Sequence, residues 1–552
     1  MSLEQSAPLG YLPEVDEESA KRRSRKGKRN KPTLNCKRSQ HVPPVPVIET
    51  FDTDLFTQFL NGTDLDIPSA HSPVEDKFSP SSSRPSTGKQ ARFTLFPHYE
   101  NKQHPFGNYW TCIGGLSEVV GALPSKGQAD LLVDKYFNAV DPLYPVIFRP
   151  QFTADYEHFW AKSLDERCES DAGLIALMFI VFACGTQHMD NMLPDERVQM
   201  SQFYVSASHQ CLCLFSYLNR CSLSTMQTMV MITYYLISNN HISDAWTFSG
   251  MTQRQAYGLG LNRNPDAVRP DDSFLQRQQR CRLWQATMFQ DTSLSLYCEM
   301  PPGTTFHDID PTCLRCHETI PGWSQHDSPE SSSPLTDLSI NSVDDESRVN
   351  DVNFLRAMWE YATWCQSKIC IPRALRRALC TDAAHKAQLI SEFRSIYSGW
   401  SPPFNSYSES RFGGQDTRLL RQIIAVSSNF FWVLWCLYMD KDEAAGYESD
   451  IYGALEAAHE GLSAFFVLVR YVPSQADTWC AHHTRAYEHA TTVANILATH
   501  GLNRDPRLLL AKADLERYLD ILLRARGASD FEPIRKKRVA EIEGLRASIK
   551  DL

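Results

Sequence analysis

The 552-residue chain has almost no alternating apolar and polar run of the kind a half-buried strand leaves, which excludes a sheet as its main architecture. It also lacks a long apolar run. LIALMFIVFACGTQHM from Leu174 and SSNFFWVLWCLYM from Ser427 have apolar cores well short of the roughly 20 residues a spanning helix needs. Core helices of a soluble protein with no membrane partner are therefore expected. No secretory signal opens the chain, and its 16 cysteines are scattered through apolar segments, so buried thiols in a reducing compartment are expected. H-E-x-x-H, P-loop, G-x-S-x-G and dinucleotide glycine patterns are all missing, so nothing supports an enzyme and no catalytic residue is assigned.

Acidic residues are missing where basic ones are densest. Between Lys21 and Arg38 there are ten Lys or Arg and no Asp or Glu; with −10 overall, the other residues carry −20. The field of that acidic remainder repels nucleic acid, so any DNA contact must come from the basic tail or from a partner. Lys21, Arg22, Arg23, Arg25, Lys26, Lys28, Arg29 and Lys31 suit nuclear import or a phosphate contact. Pro43 to about Gly107 is rich in Pro, Ser and Asp and poor in branched aliphatics, the composition of a disordered linker. Within it Phe51, Leu55, Phe56, Phe59 and Leu60 are interleaved with Asp52, Asp54, Asp64 and Asp66. This alternation suits a segment that folds on a coactivator surface; a sticky linker without activity fits the same residues.

What is present is helix, and enough apolar material for a sizeable core: 42% of the residues are hydrophobic and 11% of the chain is aromatic. From Leu123, Leu132, Val133, Tyr136, Phe137 and Val140 define an amphipathic helix that Asp141-Pro142 ends. Further helices are expected at 171–185, 199–219 and 224–239, the last either plain core or a Met- and Tyr-lined pocket. Ala245 to Leu259 carries small residues on one side, and Gln276 to Tyr297 is apolar on most faces, as befits a helix in the middle of a bundle. Arg254 and Asp291 are charges on these two otherwise apolar helices, where unpaired burial would be costly, and are expected to be held in a structural ion pair or hydrogen-bond network rather than to act in catalysis. Beyond a polar insert, helices are expected near 352–370, 382–398, 416–439, 448–471, 474–500 and 506–525. A last one, with Ile542, Leu545, Ile549 and Leu552 at helical steps, is expected to cap the bundle.

Local clusters carry weaker signals. Cys313-Leu314-Arg315-Cys316-His317 has the string of a haem attachment site, but reads as two incidental thiols beside a loop. His482, His483 and His489 read as solvated surface rather than a metal site. Ser72, Ser79, Ser328 and Ser333 each precede proline and are plausible phosphorylation points.

Trp246, Gly250, Arg254 and Ala256, then Gly260-Leu261, then Arg280, Leu283, Trp284 and Asp308-Ile309-Asp310, resemble the middle region of fungal zinc-cluster transcription factors. Pro142, Pro145, Val146, Arg149 and Pro150 resemble the opening segment of that region, and Asp291 lies within its second helix. Three departures stand out: Cys281 between the two arginines, Gln285 where a second aromatic is usual, and Glu299-Met300-Pro301 in place of a G-R-P turn. RNKPTLNC resembles the lead-in to the family's six-cysteine cluster, but after Cys36 the next cysteine is Cys112. One thiol cannot hold two tetrahedral zinc ions, so Cys36 is read as a remnant and zinc is expected only if a missing cysteine-rich segment is restored.

The resemblance implies an all-α, large multi-helix bundle in a nuclear transcription regulator. It further implies DNA reached through a missing segment or a partner transcription factor, a small-molecule effector, and a homodimer. The expected organisation is a basic tail and linker over 1–122, a first helical half over 123–320, a flexible acidic Ser-rich insert over 321–351 and a second helical half over 352–552. The rival expectation is a helical protein outside transcription that binds a small molecule or a protein partner.

Overall fold

Helix starts in this chain are set by short polar side chains. Asp171, Asp382, Asp416, Asp450 and Asp505 each accept a hydrogen bond from a backbone N–H in the first turn that follows, and Ser125 and Ser163 form reciprocal capping boxes with Gln128 and Glu166. Each cap satisfies a donor that the helix itself cannot. The computed structural model describes Phe106, 115–298, 300–305, 342–370, 378–406, 416–473, Thr478, 480–500, 505–525 and 527–549. All of these belong to one contact unit within Ile48–Leu552.

The first half contains α1 (Leu116–Gly121), α2 (Lys126–Ala139), α3 (Arg149–Ala161), α4 (Leu164–Cys168), α5 (Ala172–Thr186), α6 (Pro194–Phe215), α7 (Leu223–Ser238), α8 (Ile242–Gly258), α9 (Pro265–Val268) and α10 (Phe274–Cys298). The second contains α11 (Ser342–Lys368), α12 (Ala383–Gly399), α13 (Thr417–Met439), α14 (Ile451–Tyr471), α15 (Cys480–His500), α16 (Pro506–Arg524) and α17 (Glu532–Ala547). Among the described residues the only extended pairing is an isolated bridge between Asp442 and Tyr447. The fold is all-α.

Each half has its own apolar core. In the first, α5 is buried on every side from Ile175 to Thr186 and packs against α2, α6 and α7. The Met- and Tyr-rich α7 is core: Met226, Met229 and Met231 are fully buried. In the second, α13 lies against α11, α12, α14 and α15. By length and composition α13 alone among the described helices is apolar enough to cross a membrane, but 83% of that window is buried inside the protein. It also buries Arg418, Arg421 and Gln422, so it is a core helix. Ile542 of α17 is fully buried, and Leu545 and Ile549 pack beside it on the second core.

Several boundaries differ from expectation: the helix read at 199–219 is Pro194–Phe215, the one read at 474–500 is Cys480–His500, and two differences concern whole elements. Helix α1 lies inside the span read as linker; it is too short for periodicity to mark, but Val119 and Val120 are buried in the first core. Helix α11 begins at Ser342, inside the span read as a flexible insert. SVDDESRVND has only Val343 and Val349 as apolar residues, too few for an apolar stripe, yet it runs into a helix anchored by Phe354, Met358 and Tyr361. The basic run, Cys36, the Phe51 to Leu60 segment, the four Ser-Pro sites and Cys313 to His317 lie outside the described residues.

The contact between α2 and α5 depends on a glycine. A Cβ on Gly185 of α5 would collide with the carbonyl oxygen of Leu132 in α2, whereas one on Gly127 would meet nothing within 4 Å. Gly185→Ala is expected to lower stability by about 1–3 kcal/mol through forced separation of α2 and α5. Gly127→Ala should leave it unchanged or slightly raised; urea denaturation of both variants beside the parent checks the contrast.

Candidate functional site

The residues that resemble the family pattern build the contact between α8 and α10. Helix α8 ends in a left-handed residue: Gly260 has φ +66°, its N–H donates to the Tyr257 carbonyl, and the N–H of Leu261 donates to the Ala256 carbonyl. This is a Schellman stop, and the buried Leu261 supplies its apolar contact. Arg280 then reaches back from α10, donating to Asp272 at 2.7 Å and to the Leu259 carbonyl at 3.2 Å, so a buried guanidinium seals the α8 terminus. Trp284 is fully buried and meets Tyr257 edge to face at 5.2 Å. Trp246 packs partly buried on the same core. Arg149 and Pro150 open α3, with the Arg149 guanidinium 5.0 Å from the Phe137 ring centre.

Asp291 is buried and fully engaged. It accepts from Gln253 Nε2 at 2.7 Å, from the backbone N–H groups of Gly303 and Thr304, and from the Thr304 hydroxyl at 2.6 Å. Burial pushes its carboxyl up from the ordinary value while these donors pull it down. Gln366 of α11 extends the network to Thr292 and Thr304. The expected structural network is thus present at Asp291, but Arg254 has no part in it. Arg254 is exposed and donates to the Gly250 carbonyl one turn back, because the small-residue side of α8 turns the neighbouring Gln253, not Arg254, toward α10.

The two halves meet at a buried cluster of charge. Arg418 of α13 donates to Asp141 at 3.1 Å and, through Nε and Nη2, to both oxygens of Asp351 at 2.9 and 3.0 Å. Gln422 joins Asp351 at 2.6 Å and the Pro142 carbonyl at 3.1 Å, and Arg421 donates to the Asn138 carbonyl at 2.7 Å. Burial raises Asp141 to about 6, opposed by the charges of Arg418 and, more weakly, Arg282. The sequence pointed to none of these partners; Asp141 was legible only as a helix stop.

Beside this cluster opens a cleft of about 460 Å³, counting its mouth. Pro145 and Val146, Phe289 of α10, and Phe354, Met358 and Trp359 of α11 make apolar walls. Gln285 and Arg282 of α10 also line it. Gln285 is 6% exposed, and neither its Oε1 nor its Nε2 finds a partner within the protein.

The histidine reading needs correction. His489 is buried rather than solvated, 5.3 Å from Trp435, because α15 turns that face into the second core. Burial, then the Arg485 charge, depresses it to about 3; His188 is likewise lowered to about 3 by burial. Among the described residues no group of three or more His, Cys, Asp or Glu could hold a metal ion. The donor set for a binuclear zinc cluster does not fit either, since Cys36 is followed by no cysteine until Cys112.

Residues 133–353, from α2 into α11, match the family model of the fungal specific transcription factor domain. Similar proteins include the Zn(2)-C6 fungal-type transcription factor mpsB of Macrophomina phaseolina, 26% identical over 33% of this chain and 25% of its own length. The transcription factor yanR of Aspergillus niger is 25% identical over 39% of this chain and 28% of its own. The sorbicillinoid biosynthetic cluster transcription factor 2 of Penicillium rubens is 26% identical over 36% and 31%. The chain thus spans about a quarter to a third of the length of the relatives it matches.

Arg418→Met is expected to destabilise the protein by about 3–5 kcal/mol, because Asp141 and Asp351 would be left buried without their counter-charge. Gln285→Leu should stabilise it by about 1–3 kcal/mol by removing an orphaned amide. Thermal melts of the purified variants check both signs. With folded values near 3 against an unfolded value near 6.5, His188 and His489 give stability that is complete above about pH 6.5 and declines as pH falls. Asp141, raised to about 6, acts oppositely, adding stability as pH falls from 6 toward 4. His489→Leu is therefore expected to flatten the fall in urea midpoint between pH 6.5 and 5 by up to about 1.4 kcal/mol per pH unit.

Proposed function

We propose that this chain is a nuclear transcription regulator whose described helices form its regulatory body. The observation that supports this most is the match of residues 133–353 to the fungal specific transcription factor domain, over the same helices whose contacts the family-like residues build. The relatives bear transcription-factor names, and one is named as a Zn(2)-C6 type. In this chain the cluster is reduced to Cys36, so DNA is reached through a cysteine-rich segment absent after that residue, which would bring its own zinc, or through a partner transcription factor. Lys21 to Lys31 serve nuclear import, and Phe51 to Leu60 dock a coactivator. The buried polar groups at the seam are structural, and no catalytic role is assigned to them.

The test fuses the full chain to a heterologous DNA-binding domain upstream of a reporter, and follows a fluorescently tagged chain in the cell. Reporter output is expected to change and the tagged chain to enter the nucleus. Alanine at Lys21, Arg22, Arg23 and Arg25 should leave it in the cytoplasm, and alanine at Phe51, Phe56 and Phe59 should reduce the reporter effect. An unaltered reporter together with a cytoplasmic parent chain would overturn the proposal. A full-length transcript read across the codons of Cys36 and Lys37 decides between a spliced-in cluster and a partner.

A further inference from the structure

Gln285 of α10 is a buried amide with neither polar atom partnered within the protein. It follows the buried Trp284, at the position where the resembled pattern carries a second aromatic. An aromatic side chain there would add to the apolar walls. The glutamine instead presents a primary amide, 94% removed from solvent, with donor and acceptor both unpartnered inside the protein. Other buried amides here donate through Nε2, as Gln253 does to Asp291 and Gln422 to Asp351, and Gln187 is another with neither atom partnered within the protein. An amide left open beside an apolar cleft has the arrangement of a ligand site: apolar walls for binding and a few polar groups for orientation.

The cleft also states what it would take. Its walls are Pro145, Val146, Phe289, Phe354, Met358 and Trp359, suited to a flat apolar body. Most of its about 460 Å³ is open mouth and the enclosed room is only about 40 Å³, below the roughly 300–1,000 Å³ of a full small-molecule site, so a ligand inserts one edge and its body stays at the mouth. The Gln285 amide pairs best with an edge that offers an acceptor to Nε2–H beside a donor to Oε1. Arg282, three residues earlier and on the same face of α10, favours an edge oxygen that carries partial negative charge.

We infer that the cleft between Pro145-Val146, α10 and α11 binds a small planar apolar molecule bearing a donor next to an acceptor on one edge, the pattern of a lactam, and that Gln285 reads that edge. Its walls come from both halves, and Asp141 and Asp351 stand just before two of the wall segments in the chain, both held by Arg418. The bound molecule therefore bridges the seam, and its occupancy is coupled to the contact between the halves.

The test uses purified full-length protein and two probes, 2-quinolone and N-methyl-2-quinolone, with binding read by calorimetry and by ligand-observed NMR. The parent protein is expected to bind 2-quinolone saturably and about tenfold more tightly than its N-methyl form, which keeps the ring and loses the donor. Gln285→Leu should abolish that preference, and Gln285→Phe should fill the cleft and lose both probes. Met358→Trp, which narrows the cleft from the opposite wall, should also lose both. Helical circular dichroism and melting curves confirm that each variant is folded. Absence of saturable 2-quinolone binding, or an undiminished preference in Gln285→Leu, would overturn the site. Because no DNA or reporter enters the measurement, its failure leaves the transcription reading standing, and a silent reporter leaves the ligand site standing.

Discussion

The guanidinium of Arg418 is the constraint on which the arrangement of the two halves depends. A cation removed from water is tolerable only where counter-charges and hydrogen bonds meet it, and here Asp141 and Asp351 do so from opposite halves. The end of α2, the start of the buried part of α11 and the start of α13 must therefore converge at one register. Apolar packing alone would permit the two cores to slide; a bidentate contact to Asp351 and a single contact to Asp141 would not. Gln422 and Arg421 extend the same junction by holding backbone carbonyls at Pro142 and Asn138. The cleft lined by Pro145, Gln285 and Met358 lies beside this junction and inherits its geometry.

The family-like residues serve a different end. Gly260, Arg280 and Trp284 do not form a surface. They stop α8, seal its carbonyl end and bury the α10 face against it. Asp291 extends this work to the 300–305 segment, and Gln366 carries it across to α11. These contacts lie within residues 133–353, the span that matches the fungal specific transcription factor domain. Gln285 leaves an amide at the edge of the cleft.

Helices were legible in the sequence to within a few residues, because their determinants are local. Apolar positions recur at three- and four-residue steps, and Asp or Ser stands before the first turn. The helices expected at 382–398, 416–439 and 506–525 correspond to Ala383–Gly399, Thr417–Met439 and Pro506–Arg524. Where local determinants are weak the reading missed structure, as in the short α1 and the mostly polar start of α11. It also mistook His489 for surface, since its burial depends on which face α15 offers to α13 and α14.

The sequence by itself determined the all-α class, the ends of most helices and the absence of an intact cysteine cluster after Cys36, since each follows from spacing along the chain. Only the tertiary structure decided which polar groups meet. Arg418 and Asp141 are 277 positions apart, and Asp291 finds Gln253, 38 positions away, instead of the exposed Arg254. Whether a buried amide such as Gln285 is satisfied is settled by neighbours from other helices, which no local pattern encodes. The physical reason is one of range: helix formation is governed by bonds four residues apart, whereas the seam, its charge cluster and its cleft arise where distant segments are brought together out of water.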